Sequence, residues 1–525
     1  MIIINSAAYV IPEFRAEFGK IPPCLLPIGN RKLLELQVPL LCEAFGEKVY
    51  VSLPEGYKLS LDERQLFEDL KVTPAYVPEE FTLAEALLFV LNTIPEPLSS
   101  SEPLRLLHGD TLLDNLPEGV DLIAISATED DYSWEEEKQG GNHPLVWCGY
   151  FSFSNSRDFV KSLALSRDSF VKAVRNYGAS NTLAVKEVLG WHDLGHINTY
   201  FNSRSKITTQ RVFNSLRIEN GIVWKSGSPF KKISAEAFWF KSLPPSLRRY
   251  TPQLIDEGFD KATGAPYYIL EYLPCSPLNE VFVHGRNPDF FWKKIFKLMS
   301  GFLADARQSV SQLAETPDVA TVAADAKALY FDKTLSRMEM YSKESGVNLD
   351  ENRYYDSKHL GSLNHIAIDC VERVLMLPVI CAVLHGDFCF SNILFDSRGE
   401  LIKVIDPRGL NQLNELTVHG DQKYDLAKAS HSVIGLYDFI IAGRYQLTTE
   451  ANGNHVISFP IDERLEKVQM SFLDFEFLPG CSVKACMPLT VLLFLSMLPL
   501  HSDRPDRQRA MLANALRLYA EYVLN

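Results

Sequence analysis

The chain has 525 residues and a formal net charge of −14, with 46% hydrophobic and 22% charged residues. At roughly 150 residues per domain, this length predicts two or three packing units, and the balanced composition excludes a disordered, collagenous or coiled-coil protein. Such an acidic chain is a poor partner for DNA or RNA, because binding a nucleic-acid polymer requires clustered Lys and Arg. Nine scattered cysteines without a Cys-x-x-Cys pair indicate reduced thiols and a cytoplasmic protein.

The first 200 residues alternate short apolar runs with helical patterns, which predicts an open α/β sheet. Thr82 followed by Glu85 is the pattern of a capping box at the start of a helix. The first five residues reach a polar side chain at once and indicate a strand, not a signal peptide. We expect strands at 2–4, 48–53, 104–107, 122–125 and 146–153, and helices at 32–45, 83–91 and 156–164.

The pattern changes near residue 210. Two β-like runs, 212–218 and 222–225, are joined by Glu219-Asn220-Gly221, and Asn-Gly is a strong hairpin signal. A helix is expected at 234–243, ending before two prolines, and a strand at 267–272. Beyond about 286 the pattern predicts mostly helices, with one β-like island at 383–406. The apolar run 487–500 is too short to span a membrane, so we predict a buried core helix and no membrane insertion.

The densest set of chemical groups lies in the segment VLHGDFCFSNILFDSRGELIKVIDPRG, residues 383–409. It holds His385-x-Asp387-x-x-x-x-Asn392, followed by Asp406 on the far side of a predicted hairpin. Phosphoryl transfer needs one carboxylate that orients the acceptor hydroxyl and two oxygen ligands that hold Mg²⁺ against the nucleotide phosphates. This spacing delivers those groups from two neighbouring turns. The alternative is a polar hairpin whose Asp and Asn only cap turns.

The segment resembles the aminoglycoside phosphotransferase and choline kinase superfamily. The resemblance implies that Asp387 is the catalytic base, that Asn392 and Asp406 bind Mg²⁺, and that His385 is structural. Asp425, in the sequence Tyr-Asp-Leu-Ala, is then expected to brace the catalytic loop.

Upstream residues supply the expected nucleotide contacts. Lys225 ends a predicted strand and Glu236 lies in the next helix, the arrangement by which kinases position the α- and β-phosphates of ATP. Lys231 and Lys232 are competing candidates for the lysine. Glu271 and Leu273 lie on a segment similar to the hinge that receives adenine. Near the C-terminus, His501 either lines the acceptor site or belongs to a helix-capping turn.

Residues 20–37 resemble the first motif of sugar-phosphate nucleotidyltransferases, with KIPPCLLPIGN followed by LLELQ. Asp110 in His-Gly-Asp and Asp193 in Trp-His-Asp-Leu-Gly stand where that family places its two metal-binding aspartates. The resemblance implies an Mg²⁺ ion and a second nucleoside triphosphate, CTP or UTP.

The front region also departs from that family. Residues 5–12 contain no glycine, although glycines let a backbone approach phosphates closely. Pro23 stands at the position of the family's catalytic lysine, which leaves Lys20, Lys32 and Arg15 as replacements.

Together these features predict a Rossmann-like α/β nucleotidyltransferase-like domain at 1–207 and a two-lobed, kinase-like α+β domain at 208–525. The lobes are expected at about 208–275 and 276–525. The leading hypothesis is a two-step enzyme: the kinase phosphorylates a sugar, polyol or amino alcohol, and the front domain couples the product to a nucleotide. Such fusions resemble suppliers of bacterial surface-polysaccharide precursors. The alternatives are an active kinase with a non-catalytic regulatory or dimerisation domain, and a pseudoenzyme scaffold. The sequence leaves homo-oligomerisation open.

Overall fold

The computed structural model describes residues 1–95, 102–128, 136–140, 143–209, 215–313, 317–449 and 455–524. The chain divides into two compact units. The first comprises Met1–Gln210 with His284–Arg286, and the second comprises Arg211–Val283 with Asn287–Asn525. The first is an α/β unit with a Rossmann-like sheet, and the second is an α+β unit with kinase-like lobes, so the predicted fold class is confirmed.

The first unit alternates strands and helices along most of its length. Its strands are β1 (Ile2–Asn5), β2 (Pro27–Ile28), β3 (Arg31–Lys32), β4 (Val49–Pro54), β5 (Thr73–Val77), β6 (Leu104–His108), β7 (Thr111–Leu113), β8 (Leu122–Ala127), β9 (Glu136–Gly140), β10 (His143–Phe153), β11 (Ala184–Glu187) and β12 (Trp191–Asp193). Its helices are α1 (Pro12–Phe18), α2 (Leu34–Phe45), α3 (Leu61–Asp69), α4 (Leu83–Thr93), α5 (Ser156–Leu165), α6 (Phe170–Ser180) and α7 (Ile197–Thr209), with a 3₁₀ turn at Pro23–Leu25.

The main sheet of this unit has the order β11-β8-β10-β6-β1-β4-β5, with β9 paired to β10. Strand β1 lies parallel to both β4 and β6, and β10 runs antiparallel to β6 and β8. Ile2, Ile3 and Ile4 are fully buried, as expected of a central strand covered on both faces. Strands β4 and β5 are added on one side of β1 and β6 on the other, so the strand order switches sides between β1 and β6, and ligands are expected at the carboxyl ends of these strands. The capping box of Thr82 and Glu85 is present at the start of α4.

The second unit begins with a small sheet and continues as a mainly helical lobe. Its strands are β13 (Ser215–Glu219), β14 (Ile222–Ser226), β15 (Leu254–Phe259), β16 (Pro266–Glu271), β17 (Ser276–Pro277), β18 (Asn352–Tyr355), β19 (Lys358–Ser362), β20 (Cys381–Val383), β21 (Ile393–Asp396), β22 (Leu401–Val404), β23 (His419–Asp421), β24 (Gln446–Thr449) and β25 (His455–Ser458). Its helices are α8 (Phe230–Ser242), α9 (Leu278–His284), α10 (Asp289–Gln308), α11 (Val319–Lys327), α12 (Lys333–Ser345), α13 (Leu363–Leu375), α14 (Lys423–Val433), α15 (Tyr437–Ile441), α16 (Glu463–Leu473), α17 (Val483–Met497) and α18 (Pro505–Tyr522).

The small sheet has the antiparallel order β13-β14-β16-β15, and α8 follows β14 directly. The predicted hairpin between β13 and β14 is confirmed. Asn220 and Gly221 have φ values of +51° and +74°, the left-handed pair that a two-residue turn of this hand requires. This turn fixes the register of β13 against β14, in which Leu216 faces Lys225; on the other side of β14, Lys225 faces Tyr268 of β16.

The helical lobe contains more β structure than the sequence predicted. The prediction of one β-like island after residue 286 is wrong, because β18–β19 and β24–β25 form two further hairpins and β23 pairs with β20. Most residues of these two hairpins are exposed or half-buried, and the strands are held together by backbone hydrogen bonds. Their sequences therefore lack the alternation of apolar and polar residues from which strands are predicted. Helix α8 also begins four residues earlier than predicted.

The apolar run near the C-terminus forms a buried core helix. Among the described residues, the segment Val483–His501 is the one helical stretch long and apolar enough to cross a membrane, and 83% of it is buried inside the protein. Helix α17 is buried on nearly every side, which explains why it lacks the polar face of a surface helix.

Candidate active sites

Lys225 joins two of the predicted site residues of the second unit. Its Nζ donates to Glu236 Oε2 at 2.8 Å and to Asp406 Oδ1 at 3.0 Å. Burial opposes the charge of Lys225, but the carboxylates of Asp406 and Glu236 outweigh it and hold the pKa of this lysine above its usual value. The competing candidates Lys231 and Lys232 are exposed, so Lys225 is the lysine that the fold places at the site.

Helix α8 is fixed against the segment that carries Asp406. Tyr268 donates to Glu236 Oε2 at 2.6 Å, and Trp239 Nε1 donates to the Leu384 carbonyl at 2.8 Å. Gly409 has φ +63°, and a Cβ there would lie 2.1 Å from the Ala235 carbonyl oxygen. Only glycine permits this approach of the two backbones, which keeps Glu236 aligned with Lys225.

The catalytic loop places Asp387 and Asn392 in contact. Asn392 Nδ2 donates to Asp387 Oδ2 at 3.0 Å and to the Asp387 carbonyl at 2.9 Å. Lys428 Nζ lies 2.9 Å from Asp387 Oδ1. Burial disfavours the Asp387 carboxylate, but the Lys428 ammonium outweighs burial and holds the pKa of Asp387 at about 2. Asp387 is therefore ionised at neutral pH and can accept a hydrogen bond from a hydroxyl group.

Asp425 braces this loop from helix α14. Its two carboxylate oxygens accept hydrogen bonds from the backbone N–H groups of His385 (2.9 Å) and Gly386 (2.8 Å). His385 Nε2 lies 3.0 Å from the Ile405 carbonyl, which ties the loop to the strand before Asp406. Burial raises the pKa of Asp425 to about 7 despite these hydrogen bonds. Asp425 is thus a positioning residue, in agreement with the expectation from sequence.

The oxygen atoms of Asn392 and Asp406 form a donor set that suits Mg²⁺. The Ile405 N–H donates to the Asn392 carbonyl at 3.0 Å, and Asp406 follows directly with φ +54°. Within the described ranges, no group of three or more His, Cys, Asp or Glu residues is arranged to hold a metal ion. A carboxylate and an amide oxygen, completed by phosphate and water oxygens, are the ligands that Mg²⁺ commonly takes in ATP sites.

The predicted hinge residues lie at the end of β16, next to the strand of Lys225. The Glu271 N–H donates to the Gln253 carbonyl at 3.0 Å, and its carboxylate accepts from the Gln253 N–H at 3.3 Å. The Leu273 carbonyl accepts from the Cys275 N–H at 2.8 Å. Glu271 pairs with Ile222 at the start of the strand that carries Lys225, Leu273 follows two residues later, and their contact with adenine stays a prediction.

Lys428 is the clearest residue that the sequence reasoning missed. It lies three residues after Asp425 on α14, so a helix that presents Asp425 to the loop presents Lys428 to the same side. His431, one turn further, is 1% exposed, and neither of its ring nitrogens has a hydrogen-bond partner among the described residues. The His431 ring lies 4.2 Å from the Tyr437 ring, which is 6.4 Å from the ring of His501.

The first unit holds a cavity of about 380 Å³ at the carboxyl ends of its central strands, called here the front cavity. Its lining includes Asn5 and His108, the last residues of β1 and β6, Ser52 in β4, and Asp110 just after β6. The Asn5 side-chain nitrogen is buried there without a hydrogen-bond partner. A Cβ on Gly109 would lie 2.8 Å from Ser6 Cβ, so glycine is needed for the two loops to approach.

Asp110 and Asp193, the predicted metal ligands, come together beside the front cavity. A Cβ on Gly195 would lie 2.6 Å from Asp110 Oδ2 and 3.4 Å from Asp193 Oδ1. Asp193 is oriented by the Gly195 N–H at 3.0 Å and by Thr199 Oγ1 at 2.6 Å. Burial and the Asp193 carboxylate raise the pKa of Asp110 to about 6. Two carboxylates around a space that a Cβ would fill fit a divalent cation, which would relieve their repulsion.

The first loop of this unit is held by hydroxyl groups. The Ser6 N–H donates to Ser52 Oγ at 2.8 Å, and Ser6 Oγ accepts from the Cys24 N–H at 3.0 Å. The backbone N–H of Ser6 is therefore already engaged and does not offer its hydrogen to a phosphate. Pro23, which lacks an N–H, lines the same cavity.

The cations considered as replacements for the missing lysine have other partners. Lys32 Nζ pairs with the buried Glu63 at 2.6 Å, and Arg15 Nε donates to the Val10 carbonyl at 2.7 Å. Lys20 Nζ lies 3.3 Å from the exposed Glu79 carboxylate and 4.0 Å above the Tyr9 ring. Of the described residues that line the front cavity, none is Lys or Arg.

Solved structures similar to this chain include enzymes of both predicted kinds. A nucleoside-diphosphate-sugar pyrophosphorylase from Vibrio cholerae RC9 is 14% identical over 39% of this chain and 99% of its own, with a TM-score of 0.32. A thermostable mutant of aminoglycoside phosphotransferase APH(4)-Ia is 12% identical over 61% of this chain and 100% of its own, with a TM-score of 0.35. The choline kinase LicA from Streptococcus pneumoniae is 14% identical over 60% of this chain and 97% of its own, with a TM-score of 0.32.

No protein-family model matches the chain, and no curated protein sequence does. At these identities and TM-scores the structural similarity assigns no activity. The chemistry of this protein has to be inferred from the side chains of its two sites.

Proposed function

We propose that the second unit is an ATP- and Mg²⁺-dependent kinase that phosphorylates a hydroxyl group of a small molecule. The observation that carries this proposal is the pair of contacts made by Lys225, which bonds both Glu236 and Asp406. A buried strand lysine held between a helix glutamate and a metal-binding aspartate serves to position the phosphates of a nucleotide.

The side chains of the site divide the work of phosphoryl transfer. Lys225 would hold the α- and β-phosphates, and Asn392 and Asp406 would bind Mg²⁺, which offsets negative charge on the β- and γ-phosphates. Asp387 would orient the acceptor hydroxyl and take its proton. A bond forms between the acceptor oxygen and the γ-phosphorus, the bond from that phosphorus to the bridging oxygen breaks, and ADP leaves with the electron pair. Because Asp387 is a weak base, it contributes mainly by orienting the hydroxyl.

For the first unit we propose transfer of a nucleoside monophosphate, from CTP or UTP, to the phosphorylated product. Asp110 and Asp193 would hold Mg²⁺ at the front cavity, where the ion would offset phosphate charge. A phosphate oxygen of the phosphorylated product would bond the α-phosphorus of the triphosphate, the bond from that phosphorus to the bridging oxygen would break, and pyrophosphate would leave with the electron pair. The resulting nucleotide derivative would supply surface-polysaccharide assembly in the cytoplasm. The meeting of these two carboxylates beside a cavity at the strand ends supports this second step.

A second candidate function for the first unit is a non-catalytic binding or regulatory module. The described lining of the front cavity contains no Lys or Arg, and it includes Pro23, which stands where the sequence resemblance would place a catalytic lysine. A triphosphate would then be held through its metal ion and neutral groups alone. The kinase proposal for the second unit does not depend on which candidate is correct.

Two assays on the intact chain test these proposals. In the first, acceptor-dependent ADP formation is measured with sugars, polyols and amino alcohols, in the presence and absence of Mg²⁺. The kinase proposal expects turnover with at least one acceptor, and no turnover with any of them favours the pseudoenzyme alternative.

In the second assay, pyrophosphate release from CTP and UTP is measured with the phosphorylated product. Release that Asp110→Asn abolishes supports the two-step enzyme. Normal kinase turnover without any pyrophosphate release supports the non-catalytic module.

A further inference from the structure

A group of cationic side chains surrounds Tyr424 close to Asp387; Lys333, Arg337, Arg408 and Lys428 are called here the basic cluster. Lys333 and Arg337 are four residues apart on α12, so they share one face of that helix. Tyr424 and Lys428 are likewise four residues apart on α14. Lys333 Nζ lies 3.4 Å from the Tyr424 hydroxyl, which brings the two helix faces together.

Arg408 and Lys428 connect the basic cluster to the catalytic loop. Lys428 Nζ lies 2.9 Å from Asp387 Oδ1. Arg408 lies two residues after Asp406, its N–H donates to the His385 carbonyl at 2.8 Å, and its Cβ would be 2.7 Å from a Cβ on Gly386. The cluster therefore adjoins the group that would orient the acceptor hydroxyl.

Three of the four cations have no carboxylate partner, and Lys333 instead contacts the Tyr424 hydroxyl. Within the described part of the chain, no carboxylate lies within ion-pair distance of Lys333, Arg337 or Arg408. Arg337 donates to the Ser496 carbonyl at 3.2 Å and Arg408 to the Gln412 side chain at 3.2 Å, and both acceptors are neutral.

Three carboxylates close to this region, Asp387, Asp421 and Asp425, are engaged with other groups, Asp425 with the backbone N–H groups of His385 and Gly386. Asp387 already contacts Lys428 and Asn392, and Asp421 is paired with the buried Lys423 at 2.6 Å. Asp325 lines a small cavity next to Arg408 and lies 3.4 Å from the Asn411 side chain.

The electrostatic state of the cluster reflects this excess of positive charge. Burial and the neighbouring cations lower the pKa of Lys333 to about 8. Burial opposes ionisation of Tyr424, but Lys333, Lys428 and Arg408 outweigh it and lower the pKa of its hydroxyl to about 8. Partly buried like charges destabilise a fold, so their presence beside a reacting centre points to a ligand that neutralises them.

We propose that the phosphate acceptor of the kinase is itself an anion, a hydroxyl compound carrying a phosphate or carboxylate group that the basic cluster binds. The inference rests on the proposed kinase function and adds the class of its substrate. Arg and Lys donate several hydrogen bonds to phosphate and carboxylate oxygens, which suits this ligand. A cationic amino alcohol such as choline would instead be repelled.

His431 is a further side chain near the basic cluster that could form a hydrogen bond with the acceptor. It is buried in α14 one turn beyond Lys428, and its two ring nitrogens have no hydrogen-bond partner among the described residues. A hydroxyl-rich acceptor would supply such a partner, since a buried polar group normally has one.

The bonds that form and break in this transfer are those already described for the kinase reaction. The acceptor hydroxyl oxygen bonds the γ-phosphorus of ATP, its proton passes to Asp387 and then to water, and ADP leaves. The anionic group of the acceptor takes no part in bond making and serves as the handle by which the basic cluster places the hydroxyl near Asp387.

The test compares matched acceptors on the intact chain: glycerol with glycerol 3-phosphate, ribitol with ribitol 5-phosphate, and ethanolamine with glycerate. We expect ADP formation with one of the anionic compounds and at most background rates with the neutral and cationic ones. In Arg337→Gln and Lys333→Gln, the KM for that acceptor should rise about ten- to hundredfold, while the KM for ATP changes little. Lys343→Gln, an exposed lysine on the same helix, is the control and should change neither constant.

Turnover with choline, ethanolamine or a neutral polyol that neither Arg337→Gln nor Lys333→Gln alters would overturn the inference while leaving the kinase intact. If no acceptor supports turnover, the kinase proposal fails, and binding of glycerol 3-phosphate measured by nuclear magnetic resonance separates the two ideas. Binding that is lost in Arg337→Gln supports an anionic ligand, and absence of binding to the unaltered chain rejects it. Retained heat stability of both variants shows that they fold.

Discussion

Each unit carries oxygen atoms that we propose bind a metal ion, but the two units differ in what surrounds those atoms. In the second unit, Asp406 lies 3.0 Å from the Lys225 ammonium, which is itself held by Glu236. In the first unit, Asp110 and Asp193 face each other without a Lys or Arg among the described residues of the front cavity. A triphosphate bound in the second unit would contact a fixed cation, whereas the described lining of the front cavity offers it no Lys or Arg.

The difference indicates that oxygen ligands for a metal ion are not sufficient by themselves for a phosphoryl-transfer site. Asn392 and Asp406 in the second unit, and Asp110 and Asp193 in the first, supply oxygen atoms of the kind that Mg²⁺ binds. Positioning a phosphate also requires donors that are oriented before the nucleotide arrives, because reorganisation during the reaction raises the barrier. Lys225 meets this requirement through two short contacts, whereas Lys32 of the first unit is buried against Glu63.

The largest expected effect comes from Asp387. Asp387→Asn removes the negative charge that orients the acceptor hydroxyl, and kcat should fall by about 10³-fold. The dissociation constant for ATP should change little, because Asp387 contacts Asn392 and Lys428 and is not expected to touch the nucleotide. Steady-state ADP formation and equilibrium ATP binding measure the two quantities. The exposed Glu463→Gln serves as the control, and a kcat within twofold of the unaltered chain would remove Asp387 from the mechanism.

A smaller loss is expected at Lys225. Lys225→Met removes the cation that holds the α- and β-phosphates and should lower kcat/KM for ATP by about 10²-fold. Glu236→Gln should cost less, because the amide oxygen can still accept from Tyr268 and Lys225. The neighbouring exposed Lys231→Met is the matched control. Equal effects of Lys225→Met and Lys231→Met would show that the assignment of the phosphate-binding lysine is wrong.

Asp425 should show its role in the pH dependence of stability. The pKa of its carboxyl group is about 7 in the folded chain, above the usual value of about 4, so the folded state binds more protons than the unfolded state between these values. This group alone therefore makes stability fall as pH rises from about 4 to 7. In Asp425→Asn, the fall in the free energy of unfolding between pH 4 and 7 should be smaller by up to a few kcal/mol. The variant should also lower kcat about tenfold, because Asn keeps only one of the two oxygen atoms that accept hydrogen bonds from the catalytic loop. Urea unfolding between pH 4 and 8 measures the first effect, and an unchanged slope would contradict it.

The smallest effect on kinase turnover is expected from the first unit. Asp110→Asn removes the repulsion between two facing carboxylates, so without metal the variant should be about 1 kcal/mol more stable than the unaltered chain. Mg²⁺ should raise the melting temperature of the unaltered chain at pH 7, and this rise should shrink in the variant. Kinase turnover should stay the same in both. An equal Mg²⁺-dependent shift in both proteins would show that Asp110 does not bind the metal.

The sequence predicted the parts of this protein that short-range rules control. The hairpin turn at Asn220-Gly221, the capping box at Thr82 and the placement of Asp387 and Asn392 on one loop all depend on residues within a few positions of each other. The meeting of Asp110 with Asp193 was also predicted, but from a resemblance and not from spacing.

The parts that the sequence did not predict depend on packing between distant helices. Lys428 reaches Asp387 across 41 positions of the chain, and its type and place on α14 are those of an ordinary exposed helix lysine. Lys333 and Arg337 are four residues apart, a spacing that is equally typical of two lysine or arginine side chains on the solvent-exposed face of a helix. Their place in the basic cluster is seen only in the structure, where Lys333 contacts Tyr424 of α14. The exposed hairpin strands β18–β19 and β24–β25 left no apolar pattern to detect.

We propose above all that phosphoryl transfer takes place in the second unit at Asp387 and does not need Asp110 and Asp193 of the first unit. The most direct test measures acceptor-dependent ADP formation side by side for the unaltered chain, for Asp387→Asn, and for the double variant Asp110→Asn with Asp193→Asn. We predict full turnover in the unaltered chain and in the double variant, and a loss of about 10³-fold in Asp387→Asn. Normal turnover in Asp387→Asn, or its loss in a folded double variant, would contradict the account.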